Sequence, residues 1–101
     1  MIVRVSEAHV RPGREAEFVS VLCELVATFP ARYAGLLRHE VLVDLADSSR
    51  VQYVSVWSDA EALVAYAGES WRTDPVTFPD EETYLAGPLV LRHFGSVAIP
   101  G

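Results

Sequence analysis

Lysine is absent from the 101 residues, and all eight cations are arginines scattered singly along a chain of net charge −6. Phosphate binding needs clustered cations, so this distribution removes nucleic acid from the expected partners. The lone cysteine, Cys23, has no mate for an internal disulfide. The fold therefore does not depend on an oxidising compartment. Residues 1–10 also lack the positive start and long apolar run of an export signal, which points to a cytoplasmic chain with no membrane contact. There is no glycine-rich phosphate loop, no G-x-S-x-G and no Cys/His nucleophile pairing, which excludes those nucleotide and hydrolase chemistries. No internal repeat or low-complexity tract interrupts the chain.

What is present is the composition of a folded domain: 50% hydrophobic and 22% charged residues, far from the disordered corner of low hydrophobicity and high charge. The length suits one core, so residues 1–101 are read as a single domain.

Met1 to Val10 reads as a strand, with Val3, Val5, Glu7 and His9 on one side and Ile2, Arg4, Ser6, Ala8 and Val10 on the other. Pro12 and Gly13 break it, and Glu15 and Glu17 then favour the first turn of a helix. Phe18, Val21, Leu22, Leu25 and Phe29 form one apolar stripe, which carries that helix to Phe29, where Pro30 ends it. Leu36–Leu45 and Arg50–Trp57 are strands two and three, joined by the turn-forming Ala46-Asp47-Ser48-Ser49. Ser58 and Glu61 make an S-x-x-E capping box for a helix that buries Ala60, Leu63, Val64 and Ala67 and stops at Gly68. Glu69–Phe78 is then a loop, Pro79–Ala86 a short third helix with Asp80, Glu81 and Glu82 in its first turn, and Leu89–Ile99 the last strand.

The order predicts an α+β, ferredoxin-like βαββαβ fold: a four-stranded antiparallel sheet, strand order 4-1-3-2, with the helices on one face. Strands three and four carry large apolar groups on both parities, Val54, Val56, Val90 and Phe94 among them. A monomer would expose one set as a patch of several hundred Å², so face-to-face pairing with a second copy is expected.

Two stretches carry a resemblance over essentially the whole chain. They are Val10-Arg11-Pro12-Gly13-Arg14-Glu15-Ala16-Glu17-Phe18, and Tyr53-Val54-Ser55-Val56-Trp57-Ser58-Asp59-Ala60-Glu61-Ala62-Leu63. With the fold they resemble the antibiotic biosynthesis monooxygenase type of dimeric α+β barrel. Later segments, Gly68-Glu69-Ser70-Trp71 through Pro75-Val76-Thr77-Phe78-Pro79 to Val90-Leu91-Arg92-His93-Phe94, are similar to an uncharacterised subgroup. The resemblance implies a homodimer with a pocket between helices and sheet in each protomer. The implied activity is a cofactor-independent monooxygenase of a small aromatic or quinone-like compound, or heme degradation. The heme-degrading branch uses an Asn on the first strand, a Trp on the second helix and a His just after it. Here Ser6 and Tyr66 stand at the first two positions and Glu69–Pro75 contains no His, which argues against heme. A non-catalytic small-ligand-binding or interaction dimer is the alternative reading, and a heme-binding protein using His93 or His9 is the third.

A cofactor-free oxygenase must take a proton from a phenol or enol and hold the anion beside O₂ in a dry pocket. Glu7, His9 or His93 are the candidate bases, and Arg92, Tyr66 or the Trp71 indole the candidate anion partners, with Arg92 of opposite parity to His93. The catalytic set is read as His93, Glu7 and Tyr66, with Trp71, Ser6, His9 and Phe78 lining the ligand; no metal or cofactor is assigned. His9 and His93 fall on adjacent strands and His39 lies two strands from His9. At about 4.8 Å between strands a three-histidine metal site is hard to build, which leaves two histidines with Glu7. The bland alternatives are locally bonded histidines, a helix-start role for Asp80–Glu82, and Trp57 as core or dimer interface.

Overall fold

The computed structural model describes residues 1–101. In chain order it contains β1 (Ile2–His9), α1 (Glu15–Val26), α2 (Phe29–Arg32), β2 (Leu36–Val43), β3 (Arg50–Trp57), α3 (Ala60–Ala67), a 3₁₀ turn (Glu81–Thr83) and β4 (Val90–Gly95). The strands form one antiparallel sheet in the order β2-β3-β1-β4, the predicted α+β ferredoxin-like arrangement.

Register fixes which side chains share a face. Ile2, Arg4, Ser6 and Ala8 of β1 stand opposite Trp57, Ser55, Tyr53 and Val51 of β3, and Arg4 and Ser6 also stand opposite His93 and Leu91 of β4. This is the face the helices cover: Phe18, Leu22 and Val26 of α1 and Phe29 of α2 pack with Ala8, Val10, Val51, Tyr53, Phe78 and Leu85 in one buried cluster. Trp57, Leu63 and Trp71 make a smaller cluster beside it. The other face carries Val3, Val5, Glu7 and His9 of β1, Gln52, Val54 and Val56 of β3, Arg38, Glu40 and Leu42 of β2, and Val90, Arg92 and Phe94 of β4. No helix lies on it.

Boundaries differ from the sequence reading at several points; β1 is Ile2–His9 and β2 stops at Val43, short of Leu45. The first helix ends at Val26, and Pro30 sits in the first turn of α2 instead of terminating α1; proline lacks a donor that a first turn does not use. At α3 the cap is Asp59, whose carboxylate accepts from Ala62 N at 2.9 Å, so the Ser58–Glu61 box does not form. The expected helix over Pro79–Ala86 is only the three-residue 3₁₀ turn, preceded by Asp80 at φ 64°. β4 stops at Gly95, because β1 ends at Ile2 opposite it and residues 96–99 have no strand to pair with.

Gly35, at the entry to β2, approaches α3 so closely that a Cβ there would collide with the Ala62 side chain. No helix is long and apolar enough to cross a membrane.

Candidate functional site between helices and sheet

The helix-covered face is apolar except where β1 places Arg4. A guanidinium is not discharged under any ordinary condition, yet Arg4 is only 3% exposed. Its Nη1 donates to the Trp71 carbonyl at 2.6 Å, and its Nη2 to the Asp74 carbonyl at 2.9 Å. One buried cation thus anchors the loop that follows α3. Nη1 also lies 3.0 Å from His93 Nε2. Arginine only donates, so Nε2 is the acceptor and the imidazole is neutral with its proton on Nδ1. Burial first, then the Arg4 and Arg72 charges, hold the His93 pKa below its ordinary value, in agreement with that tautomer.

A cavity of about 30 Å³ opens beside Arg4, between the sheet and the helices. β1 contributes Arg4, Ser6 and Ala8, α1 and α2 contribute Phe18, Leu22, Leu25, Val26 and Phe29, and β3 contributes Val51 and Tyr53. Tyr66 of α3 closes one side; Val76, Glu81 and Leu89, from the segment between α3 and β4, close the other. Tyr66 is held by aromatic packing, stacked on Trp57 at 4.6 Å between ring centres and edge-on to Tyr33 and Phe29 at 5.1 and 5.3 Å. Burial pushes its phenol up to about 12, so it stands as a neutral donor. Tyr53 is also pushed up by burial, and its hydroxyl shares a 2.7 Å hydrogen bond with His39 Nδ1.

Glu81 is the unusual member. Its side chain is 4% exposed, and Oε2 is buried without a hydrogen-bond partner. Desolvation raises its pKa from 4.5 to about 7, partly opposed by a hydrogen bond from the Phe78 amide and reinforced by the Glu82 charge.

Of the side chains singled out from the sequence, Ser6 and Tyr66 line this cavity. His93 adjoins it through Arg4. Trp71 is buried against Trp57 and Leu63, and touches the site through its carbonyl. The Phe78 ring packs on Phe18 and Tyr84 in the core. Glu7 and His9 are on the opposite face of the sheet, where Glu7 bonds Gln52 at 2.8 Å and His9 at 3.3 Å. Glu7 therefore does not join His93 and Tyr66, and His9 and His93 cannot share a ligand: strand parity turns their side chains to opposite sides. No group of three His, Cys, Asp or Glu side chains is arranged around a metal-sized site.

Arg4 and Glu81 were not singled out. The clue for Arg4 is a cation on the apolar parity of β1. For Glu81 it is the spacing Phe78, Glu81, Leu85, all three buried, whereas three successive acids read more simply as a helix start.

The family model for antibiotic biosynthesis monooxygenase matches residues 1–70. The chain belongs to this family. Among solved structures, an antibiotic biosynthesis monooxygenase superposes with TM-score 0.75 at 17% identity, covering 97% of this chain and 100% of its own. A Caulobacter crescentus protein ascribed to the same family gives TM-score 0.77 at 21% identity, with 96% and 90% covered. PA3566 of Pseudomonas aeruginosa gives 0.71 at 22%, with 96% and 94% covered. At these identities the likeness establishes the fold of this antibiotic biosynthesis monooxygenase family member, while its reaction must be argued from the site. No curated protein matches the chain.

Proposed function

We propose that the protein is a homodimeric, cofactor-independent oxygenase whose helix–sheet cavity receives a small phenolic or hydroquinone-like compound. The observation that carries this reading is a buried, permanently charged Arg4 bordering an otherwise apolar cavity. Such a cation, in a space of low dielectric, stabilises an oxyanion far more than water does. Loss of a proton from an activated CH₂ flanked by phenolic rings leaves a delocalised carbanion that reacts with O₂. The resulting hydroperoxide sheds water to leave a carbonyl. One oxygen atom ends in the carbonyl and the other in water, and the substrate supplies all four electrons, so no external reductant is consumed. Ser6 and the Tyr66 hydroxyl act as hydrogen-bond partners for the substrate's oxygens.

The cavity has room for a water but not for a ring, so admission of substrate requires the segment after α3 to swing away from Arg4. That small volume is what favours the second reading, a binding or interaction dimer with a filled pocket. Oxygen uptake on a panel of hydroquinones and anthrones separates the two. The oxygenase reading expects turnover that falls at least tenfold in Tyr66→Phe; silence across the panel, with no quenching of tryptophan fluorescence by any member, favours the second.

Pairing is assigned to the uncovered face of the sheet. Phe94 and Leu42 are exposed there, beside Val3, Val5, Val54 and Val90, an area that a second copy covers isologously.

A further inference from the structure

We propose that Glu81 is the group that accepts the proton from the molecule in the helix–sheet cavity, a role that rests on the oxygenase reading above and names its base. Arg4 has no lone pair to offer. The Nε2 lone pair of His93 is already committed to Arg4. Glu7 and His9 lie behind the sheet, and His39 is bonded to Tyr53. Ser6, Tyr53 and Tyr66 are hydroxyls, donors at neutral pH. Among the side chains lining the cavity this leaves one Brønsted base, Glu81.

Geometry then gives positive grounds. A buried carboxyl with an idle oxygen is costly, and its neighbours avoid that cost: Asp80 and Glu82 both stand in solvent. Asp80 adopts a left-handed backbone at φ 64°, which non-glycine residues rarely do. Two unfavourable features on adjacent residues therefore have one joint result, a carboxyl turned inward. Such residues cluster at functional positions because the surrounding fold must hold them there.

Arg4 and Glu81 border the same space without forming an ion pair; Trp71, Asp74 and His93 take three of the five Arg4 N–H groups, which leaves donors for a ligand. A ligand between them meets a cation for its oxyanion and a carboxylate for its proton. The charged and titratable groups that share the cavity with Glu81 are Arg4 from β1, Tyr53 from β3 and Tyr66 from α3, and Glu82 stands beside it in the chain; α1 presents only apolar side chains. Burial sets the carboxyl near neutrality, where a base is most effective at physiological pH. In the step itself the Glu81 carboxylate forms an O–H bond as the substrate C–H breaks. The electron pair stays on the substrate, spread onto the oxygen beside Arg4. The peroxide formed on the carbanion takes this proton back on its terminal oxygen; Glu81 then removes the second hydrogen of the same carbon, whose C–H pair becomes the carbonyl bond as O–O breaks, and the departing hydroxide takes that second proton and leaves as water.

The test is oxygen uptake with 1,8-dihydroxyanthrone by wild type, Glu81→Gln and Glu81→Asp, from about pH 5 to 9. The expected result is a loss of kcat of at least about 100-fold in Glu81→Gln with KM within about threefold, and partial activity in Glu81→Asp. Wild-type kcat/KM rises with an apparent pKa near 7, and the rise vanishes in Glu81→Gln. Wild-type kcat and an unchanged profile in Glu81→Gln overturn the assignment while leaving the oxygenase reading intact. A wild type inert toward this and every other anthrone ends both. Should Glu81→Gln fail to fold by circular dichroism, the profile of Glu81→Asp decides: an unmoved apparent pKa overturns the role, a shifted one supports it.

Discussion

Arg4 and Glu81 sit on one cavity with different protonation behaviour, and each gives a measurable consequence. The guanidinium forces His93 to keep its proton on Nδ1. Nitrogen-15 spectra should accordingly show a neutral Nδ1–H imidazole at pH 6, where a free histidine is largely charged. Arg4→Ala should release it, with the His93 pKa moving up toward its ordinary value. For Glu81 the folded pKa, raised from 4.5 to about 7, means that the native state holds the proton more tightly than the unfolded chain. Its contribution to stability is complete below pH 4.5, falls as pH rises through that interval and levels off above pH 7, a loss of about 3 kcal/mol. Urea unfolding of wild type against Glu81→Gln at both ends of this interval should show that decline in wild type only. These two residues were the hardest to read in advance. Ser6 and Tyr66, which the family resemblance picks out, line the cavity. Arg4 looks like any scattered surface arginine until register pairs it with Ser55 and His93, and Glu81 is indistinguishable from Asp80 and Glu82 until the turn directs one of the three inward.

Elements were legible where one period dominates. β3 runs Arg50–Trp57 as expected, since its alternation has bulky β-formers on both sides. Ends set by local hydrogen bonds were not. Ser58 and Asp59 are both good caps, and only the geometry of the β3–α3 turn selects the aspartate. Asp59→Ala should cost about 1 kcal/mol, read as a lower melting temperature. Gly35 carries a steric demand that no local pattern announces: because its Cβ would strike Ala62, Gly35→Ala should destabilise by about 1–3 kcal/mol, and Gly35→Ala with Ala62→Gly should recover part of the loss. The loop after α3 hangs on Arg4 through two carbonyls. Arg4→Ala should therefore speed amide exchange and proteolysis across residues 69–75 more than in the strands.

At the scale of the whole molecule the fold has a covered face and an uncovered one, and the family resemblance and the two-sided strands both anticipated it. If the uncovered face is the pairing surface, sedimentation should give twice the chain mass of 11.1 kDa. Phe94→Asp, at an exposed and replaceable position, should halve that value while leaving the circular dichroism spectrum unchanged. The family match ends at residue 70, and the cavity wall formed by Val76, Glu81 and Leu89 comes after it. The carboxyl proposed as base thus lies beyond the matched residues, in the segment that joins α3 to β4. A transplant of residues 71–89 from one relative to another would carry that carboxyl with it, and with it Trp71, Phe78 and Leu85, which would have to repack against the recipient's core.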